Sequence, residues 1–328
     1  MTDFQNFLSS FDSSNLKGKQ FEKFCKWFLE NDTYWKSKFT KVYLWDDYPK
    51  RWGADLGIDL IAEADDGSLC AIQAKCYSPE YPVTKKDMDS FLSESNRKEI
   101  STRLLLSSTD IIGGNARKVC QSQEKPVTFF LYSDFLNSTI EFPEDINKLT
   151  KPKLKTTPKP RPHQADAIKN VLKGFKKHDR GQLIMACGTG KTFTTLWIKE
   201  KLNAETTLIL LPSLNLLSQT LKEWYFSASK QFKSFAVCSD DSVTKSTEED
   251  AVKESTQDLS FPVSADPKQI QNFLKQKGTK VIFSTYQSSP MIAEAMKSKS
   301  VPSFDLVICD EAHRCTGRMG SSFTTILD

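Results

Sequence analysis

Apolar residues recur at helical spacing along residues 16–39, with Phe21, Phe24, Cys25, Phe28 and Leu29 on one stripe, and this predicts a helix from Leu16 to Phe39. The period then changes. Lys41 to Trp45 reads as a strand, Gly57 to Ala64 as a second, and Ser68 to Tyr77 as a third. The second and third are joined by Asp65-Asp66-Gly67, a sequence with hairpin-turn chemistry. Helical spacing returns over Val83 to Glu94, with Thr84 placed to cap the helix and Asp87 at its third position. A strand over Arg103 to Ser108, a helix over Gly114 to Gln123 and a strand over Val127 to Ser133 follow. The order α-β-β-β-α-β-α-β predicts a mixed sheet with helices on its faces.

The later half has a different pattern. Five short apolar runs, Gln182–Cys187, Thr206–Leu211, Ser234–Cys238, Lys280–Thr285 and Leu306–Cys309, read as strands. Together they suit one parallel sheet. Between the halves lies KLTKPKLKTTPKPR, residues 148–161, with six basic residues, three prolines and no acid. It cannot bury a core and reads as an extended linker, with contact to a DNA phosphate as a second possibility. The chain therefore divides into residues 1–147, a linker over 148–161, and residues 162–328. Asp240 to Asp258 carries seven acids against two lysines and reads as a surface insertion.

Composition narrows the class without deciding it. A chain of 328 residues, 38% hydrophobic and 26% charged, suits about two soluble domains. The net charge of +4 is too small to argue for nucleic acid by itself. No signal peptide and no membrane-length apolar run is present, so a cytoplasmic protein without a membrane partner is expected. Eight cysteines occur without a CxxC pair, and the three histidines have no ligand spacing to them. Buried, reduced thiols are the simpler reading, and structural zinc is not supported.

Chemistry enters with LCAIQAKCY, Leu69 to Tyr77. Gln73 and Lys75 are two apart on a strand, so they point to one side. Such a polar pair in an apolar run is costly unless it has a task. The hairpin brings Asp59, on the partner strand, to the same place. A carboxylate, an amide oxygen and the Ala74 carbonyl could hold Mg²⁺, while Lys75 could position a water or stabilise developing charge on a phosphate. This constellation resembles the PD-(D/E)xK nucleases, in the Mrr-like subgroup where glutamine often replaces the acid of the pair. GKQFEKFCKWFL on the first helix is similar to the subgroup's G-x-x-F-E pattern, and GIDL to its metal strand. The resemblance implies Asp59 and Gln73 as metal ligands, Lys75 as a catalytic residue, and Glu22 as a supporting carboxylate.

MACGTGKT, Met185 to Thr192, follows a predicted strand and precedes a predicted helix, the context of a phosphate-binding loop. Gly188 and Gly190 permit the tight turn, with Thr189 between them. Lys191 would reach the β and γ oxygens of ATP, and Thr192 would offer its hydroxyl to Mg²⁺. DLVICDEAHR ends a strand in two acids, Asp310 to hold Mg²⁺ through water and Glu311 to polarise the attacking water. These segments resemble those of superfamily 2 helicases, which commonly lack glycine where Met185 stands. On that resemblance RPHQADAI is an adenine-recognition segment read by Gln164, with a plain helix start as the alternative. TLILLPSLNLLSQTLKEW and VIFSTYQSS resemble motifs Ia and Ib, where Ser213, Thr285 and Ser288 would touch nucleic-acid phosphates.

The expected fold class is thus α/β, an Mrr-like PD-(D/E)xK nuclease followed by a RecA-like parallel-sheet ATPase domain. The pairing resembles the single-polypeptide Type I (Type ISP) restriction–modification enzymes. That resemblance implies an ATP-driven duplex-DNA translocase coupled to Mg²⁺-dependent cleavage. It also implies a longer polypeptide with a second motor domain, an adenine methyltransferase using S-adenosylmethionine, and a target-recognition domain. Without the second motor domain, this stretch is expected to bind ATP weakly and not to turn it over robustly. Two other readings stay open: a repair or phage-defence helicase–nuclease without methyltransferase, and a DNA-binding scaffold whose nuclease site is inactive.

Overall fold

The computed structural model describes residues 4–11, 14–53, 57–186, 188–238 and 259–312. It divides into two compact units. One comprises Met1–Lys155 with Gln257–Pro262, and the other comprises Thr156–Thr256 with Val263–Asp328.

The first unit opens with α1 (Phe4–Ser9), α2 (Ser14–Asn31) and α3 (Thr33–Lys38). The single helix expected over 16–39 is therefore broken, and Asp32 breaks it. One oxygen of its buried carboxylate accepts the N–H groups of Tyr34 (3.0 Å) and Trp35 (3.3 Å), capping α3. The other accepts from the Thr139 N–H (3.3 Å) and hydroxyl (3.0 Å). An aspartate bonding to the backbone just ahead of it starts a new helix and so ends the old one.

There follow β1 (Phe39–Leu44), β2 (Leu60–Ala64), β3 (Leu69–Lys75), α4 (Lys85–Glu94), β4 (Ile100–Ser107), α5 (Gly114–Gln121), β5 (Val127–Phe130) and α6 (Tyr132–Leu136). The strands form a mixed sheet in the order β1-β2-β3-β4-β5. The β1–β2 and β2–β3 pairs are antiparallel, and β3–β4 and β4–β5 are parallel. Thr84 and Asp87 make the capping box that starts α4. Both faces of the sheet are covered. On one, Ile61, Ala71 and Leu105 pack with Met88 and Phe91 of α4 and Cys120 of α5. On the other, Phe24 and Phe28 of α2 lie in an aromatic cluster with Phe4, Phe7, Phe130, Phe135 and Phe142. Fully burying such rings stabilises a fold by about 1.5–3 kcal/mol each.

Part of the expected linker behaves differently from an extended tether. The Trp27 indole donates to the Thr150 carbonyl (2.8 Å), Glu141 N–H to Lys153 (2.8 Å), and Lys155 N–H to Thr139 (2.9 Å). Backbone groups can pair whatever the side chains are, so a stretch too poor in apolar residues to bury a core still docks.

The second unit contains α7 (Pro162–Gly174), α8 (Lys191–Leu202), β6 (Thr206–Leu211), α9 (Leu214–Ser227), β7 (Lys233–Val237), α10 (Pro267–Leu274), β8 (Lys280–Thr285), α11 (Ser289–Met296) and β9 (Leu306–Cys309). Its sheet is wholly parallel, in the order β7-β8-β6-β9. Every residue of β6 and β8 is buried, which is why their sequences show no alternation. Four of the five expected strands are present. Gln182–Ala186 forms no strand, and Ile184 is 90% exposed. The Ala186 carbonyl instead accepts from the Thr189 N–H and hydroxyl, so a turn begins where the ladder would have continued. Among the described residues, no helix is long and apolar enough to cross a membrane. The acidic stretch 240–258 lies outside the described residues.

Candidate active sites

In the first unit the site is built at the start of β2 and the end of β3. Asp59 precedes β2, and its backbone ties both neighbours. Trp45 N–H donates to its carbonyl (2.8 Å), and its own N–H donates to Ile72 (3.0 Å). Gly57, two residues earlier, has φ +116°, and a Cβ there would lie 2.9 Å from Ser90 Cβ on α4. Only glycine lets the chain pass so close to α4 in that conformation, so the GIDL sequence places Asp59 by backbone constraint.

The Asp59 carboxylate accepts the Ala74 N–H (2.7 Å) and the side-chain amide of Gln73. Gln73 is 2% exposed. Asp59 and Gln73 are therefore joined directly, with Lys75 two residues beyond Gln73 on β3. Glu22 comes from α2. It approaches the same neighbourhood, because the buried Cys25 thiol is pushed well above its ordinary pKa by burial first, then by Cys76, Asp59 and Glu22. Two carboxylates on different elements thus act on one buried thiol. The donor set is all oxygen, without imidazole, and suits a hard dication better than zinc. The Gln73 amide nitrogen faces Asp59, so an amide oxygen offered to the same ion requires the group to turn about its last bond. The Ala74 N–H bond is invisible in the residue order, because a backbone donor leaves no mark in residue type.

In the second unit, the loop before α8 carries Gly188 (φ +73°) and Gly190 (φ +81°), both in the left-handed region. Lys191 and Thr192 open α8. Gln164, in the first turn of α7, braces this loop. Its amide nitrogen donates to the carbonyls of Thr189 (3.0 Å) and Gly190 (3.3 Å), and its oxygen accepts the Arg161 N–H (2.8 Å). Both amide protons are thereby used. An adenine could be met only through the second lone pair of the oxygen.

The Lys191 ammonium lies 2.8 Å from the Glu311 carboxylate, a half-buried ion pair. Asp310 follows β9, and its N–H is fixed by the Leu210 carbonyl (2.9 Å). Burial pushes its carboxyl pKa up; Lys191 opposes this and Glu311 adds to it. Lys191, Asp310 and Glu311 thus form one charged cluster, although Asp310 lies 119 positions after the lysine in sequence. The three hydroxyls expected at motifs Ia and Ib each take part in a hydrogen bond within the chain. Ser213 caps α9 by accepting the Leu216 N–H (3.3 Å). Thr285 donates to Ser288 (3.1 Å), and both are buried, while Gln287 between them is exposed.

A family model described as a restriction endonuclease matches residues 30–151. A second, described as Type III restriction enzyme, res subunit, matches residues 157–328, more than half of the chain. The chain belongs to this restriction-enzyme family. A solved structure described as an ATP-dependent Type ISP restriction–modification enzyme, LlaBIII, bound to DNA, is 34% identical with a TM-score of 0.80, over 94% of this chain and 20% of that one. A probable helicase of African swine fever virus is 27% identical over 187 residues, 57% of this chain and 20% of its own. The chain spans about a fifth of the length of each. The restriction-endonuclease match contains Asp59, Gln73 and Lys75, and the res-subunit match contains Gln164, Lys191, Asp310 and Glu311. Glu22 lies before the first match.

Proposed function

We propose that this chain supplies the DNA-cleaving site and the nucleotide-binding half-site of an ATP-dependent restriction endonuclease acting on duplex DNA. The observation that carries the reading is the convergence of Asp59, Gln73 and the Ala74 N–H beside Lys75, in a chain that also gathers Lys191, Asp310 and Glu311. A carboxylate–amide–lysine group at the end of a sheet suits phosphodiester hydrolysis. The Lys–Asp–Glu group behind a glycine loop suits hydrolysis of a nucleoside triphosphate.

In the nuclease site, Mg²⁺ would be held by Asp59, with Gln73 and Glu22 as further oxygen donors, and when bound it lowers the pKa of a water and neutralises charge on the phosphate. Lys75 donates to the attacking water or to a non-bridging phosphate oxygen and places positive charge where negative charge develops. In the ATP site, the N–H groups around Gly188, Thr189 and Gly190 cradle the β-phosphate. Lys191 leaves Glu311 to reach the β and γ oxygens. Thr192 and Asp310 would hold the nucleotide's Mg²⁺, and the released Glu311 accepts a proton from the attacking water. DNA strand would be met near Ser213 and the 285–288 turn. With the Thr285 and Ser288 hydroxyls buried, that contact falls to backbone N–H groups and Gln287.

A second reading, a DNA-binding scaffold with a silent nuclease site, is favoured by one feature: Gln73 turns its N–H, not its oxygen, to Asp59. Nicking of supercoiled plasmid separates the two. The nuclease reading expects Mg²⁺-dependent nicking that Lys75→Ala abolishes while DNA binding persists. Nicking unchanged by Lys75→Ala would refute the role given to that lysine.

A further inference from the structure

The buried ring of Tyr286 joins two places that the preceding reading assigns to different ligands. Tyr286 begins a single helical turn, Tyr286–Ser288, directly after β8. It is 0% exposed, in the core with Leu208, Leu210 and Ile282. From there its hydroxyl donates to the Asp310 carbonyl at 2.8 Å. Strand β6 lies between β8 and β9, so the side chain reaches over one strand to the end of another. That span is two strand spacings, roughly 9–10 Å, and it is covered by a tyrosine with its hydrogen bond and not by a phenylalanine.

The acceptor carbonyl belongs to the peptide between Asp310 and Glu311. Holding that carbonyl orients the peptide plane from which the backbone of Glu311 departs. Glu311 has φ +52°, a left-handed conformation uncommon for any residue with a side chain. In that conformation its carboxylate meets Lys191. Tyr286 therefore anchors the backbone geometry that aims Glu311. At its other end, the turn exposes Gln287 and is closed by the Thr285–Ser288 hydrogen bond. A strand seated against Gln287 would shift the turn, and the shift would arrive at Asp310 through the phenol.

We propose that Tyr286 is a positioning residue that couples DNA contact at the 285–288 turn to the placement of Glu311 in the ATP site. The inference rests on the reading that this unit binds both ATP and DNA. Coupling of this kind is reciprocal and is read as the factor by which one ligand changes the affinity of the other, commonly 5–150-fold. The test is a titration of a slowly hydrolysed fluorescent ATP analogue, with and without saturating duplex oligonucleotide, for the wild-type protein and Tyr286→Phe. Wild type is expected to show a coupling factor of about fivefold or more. Tyr286→Phe is expected to bind each ligand alone within about threefold of wild type, with the coupling factor falling close to one. A purely structural role would weaken both affinities and leave their ratio alone. Thr285→Val, which keeps the shape of the side chain and removes the hydroxyl that donates to Ser288, is expected to lower the same factor and serves if Tyr286→Phe does not fold. An unchanged factor in the variant that folds overturns the proposal, as does a wild-type factor of one when both ligands bind. Wild type that binds no nucleotide or no DNA refutes the underlying reading, and the coupling with it.

Discussion

Gly190→Ala tests whether Gln164 is a brace for the phosphate loop. At φ +81° an alanine costs about 1–2 kcal/mol relative to glycine. Its Cβ would also lie 2.5 Å from the Gln164 amide nitrogen, so that side chain must leave. With it go two hydrogen bonds to the loop, at about 1 kcal/mol each. The combined cost is about 3–4 kcal/mol, borne by the loop shape that nucleotide binding selects. It corresponds to a loss of roughly a hundredfold or more in ATP affinity. Gln164→Ala alone loses the same two bonds without the backbone strain, about 2 kcal/mol or roughly thirtyfold. Because Gly190→Ala has already displaced the glutamine, adding Gln164→Ala to it is expected to cost less than about threefold. Titrating a fluorescent ATP analogue into the four proteins closes this cycle. Two additive losses would refute the brace, and so would a Gly190→Ala protein that binds like wild type.

Other consequences follow from the same contacts. Glu311→Gln removes the half-buried partner of Lys191, an interaction worth up to about 1 kcal/mol, and should tighten ATP binding by up to about fivefold while hydrolysis falls; weaker binding in a titration would contradict the displacement of Glu311 by phosphate. Asp32→Ala leaves the Tyr34, Trp35 and Thr139 donors without their acceptor and should destabilise the first unit by about 2–4 kcal/mol in denaturant unfolding; a loss under about 0.5 kcal/mol would remove it as the α3 cap. Burial lifts the Cys70 thiol from 9.0 to about 12 and Cys120 to about 11. Between those values and 9.0 the unfolded chain binds fewer protons than the folded one, so stability should fall as pH rises above about 9. Cys70→Ala should flatten that alkaline decline, and an equally steep decline in the variant would count against it.

Much of this was legible in residue order because the relevant physics is local. The turn residues Asp65-Asp66-Gly67 and the two strands beside them dictate the hairpin that carries Asp59 towards Gln73, and GTGKT shows its loop through its glycines. Thr84 and Asp87 announced a helix start that the structure contains. What could not be read depended on partners far along the chain. Asp32 is held in place as the α3 cap by Thr139 as well as by its own neighbours, and residue 139 is not adjacent in any pattern. Residues 150–155 dock through backbone groups, which composition cannot show. The apolar run Gln182–Cys187 reads as a strand, yet a ladder needs a neighbour, and its described residues, Gln182–Ala186, pair with none. Gln164 was legible as a residue with a task; that both of its protons serve the loop follows from the way α7 meets the carbonyls of Thr189 and Gly190.

The central claim is that Asp59, Gln73 and Lys75 form a working phosphodiesterase site in the same chain as a nucleotide-binding loop. The direct measurement is Mg²⁺-dependent nicking of supercoiled plasmid by the wild-type protein and by Asp59→Asn, which keeps the shape of the side chain and removes its charge. The account predicts nicking by wild type that EDTA stops, and a loss of at least about a hundredfold in Asp59→Asn, as expected when a group that holds the metal and stabilises developing charge is removed. Equal nicking by the two proteins would contradict it.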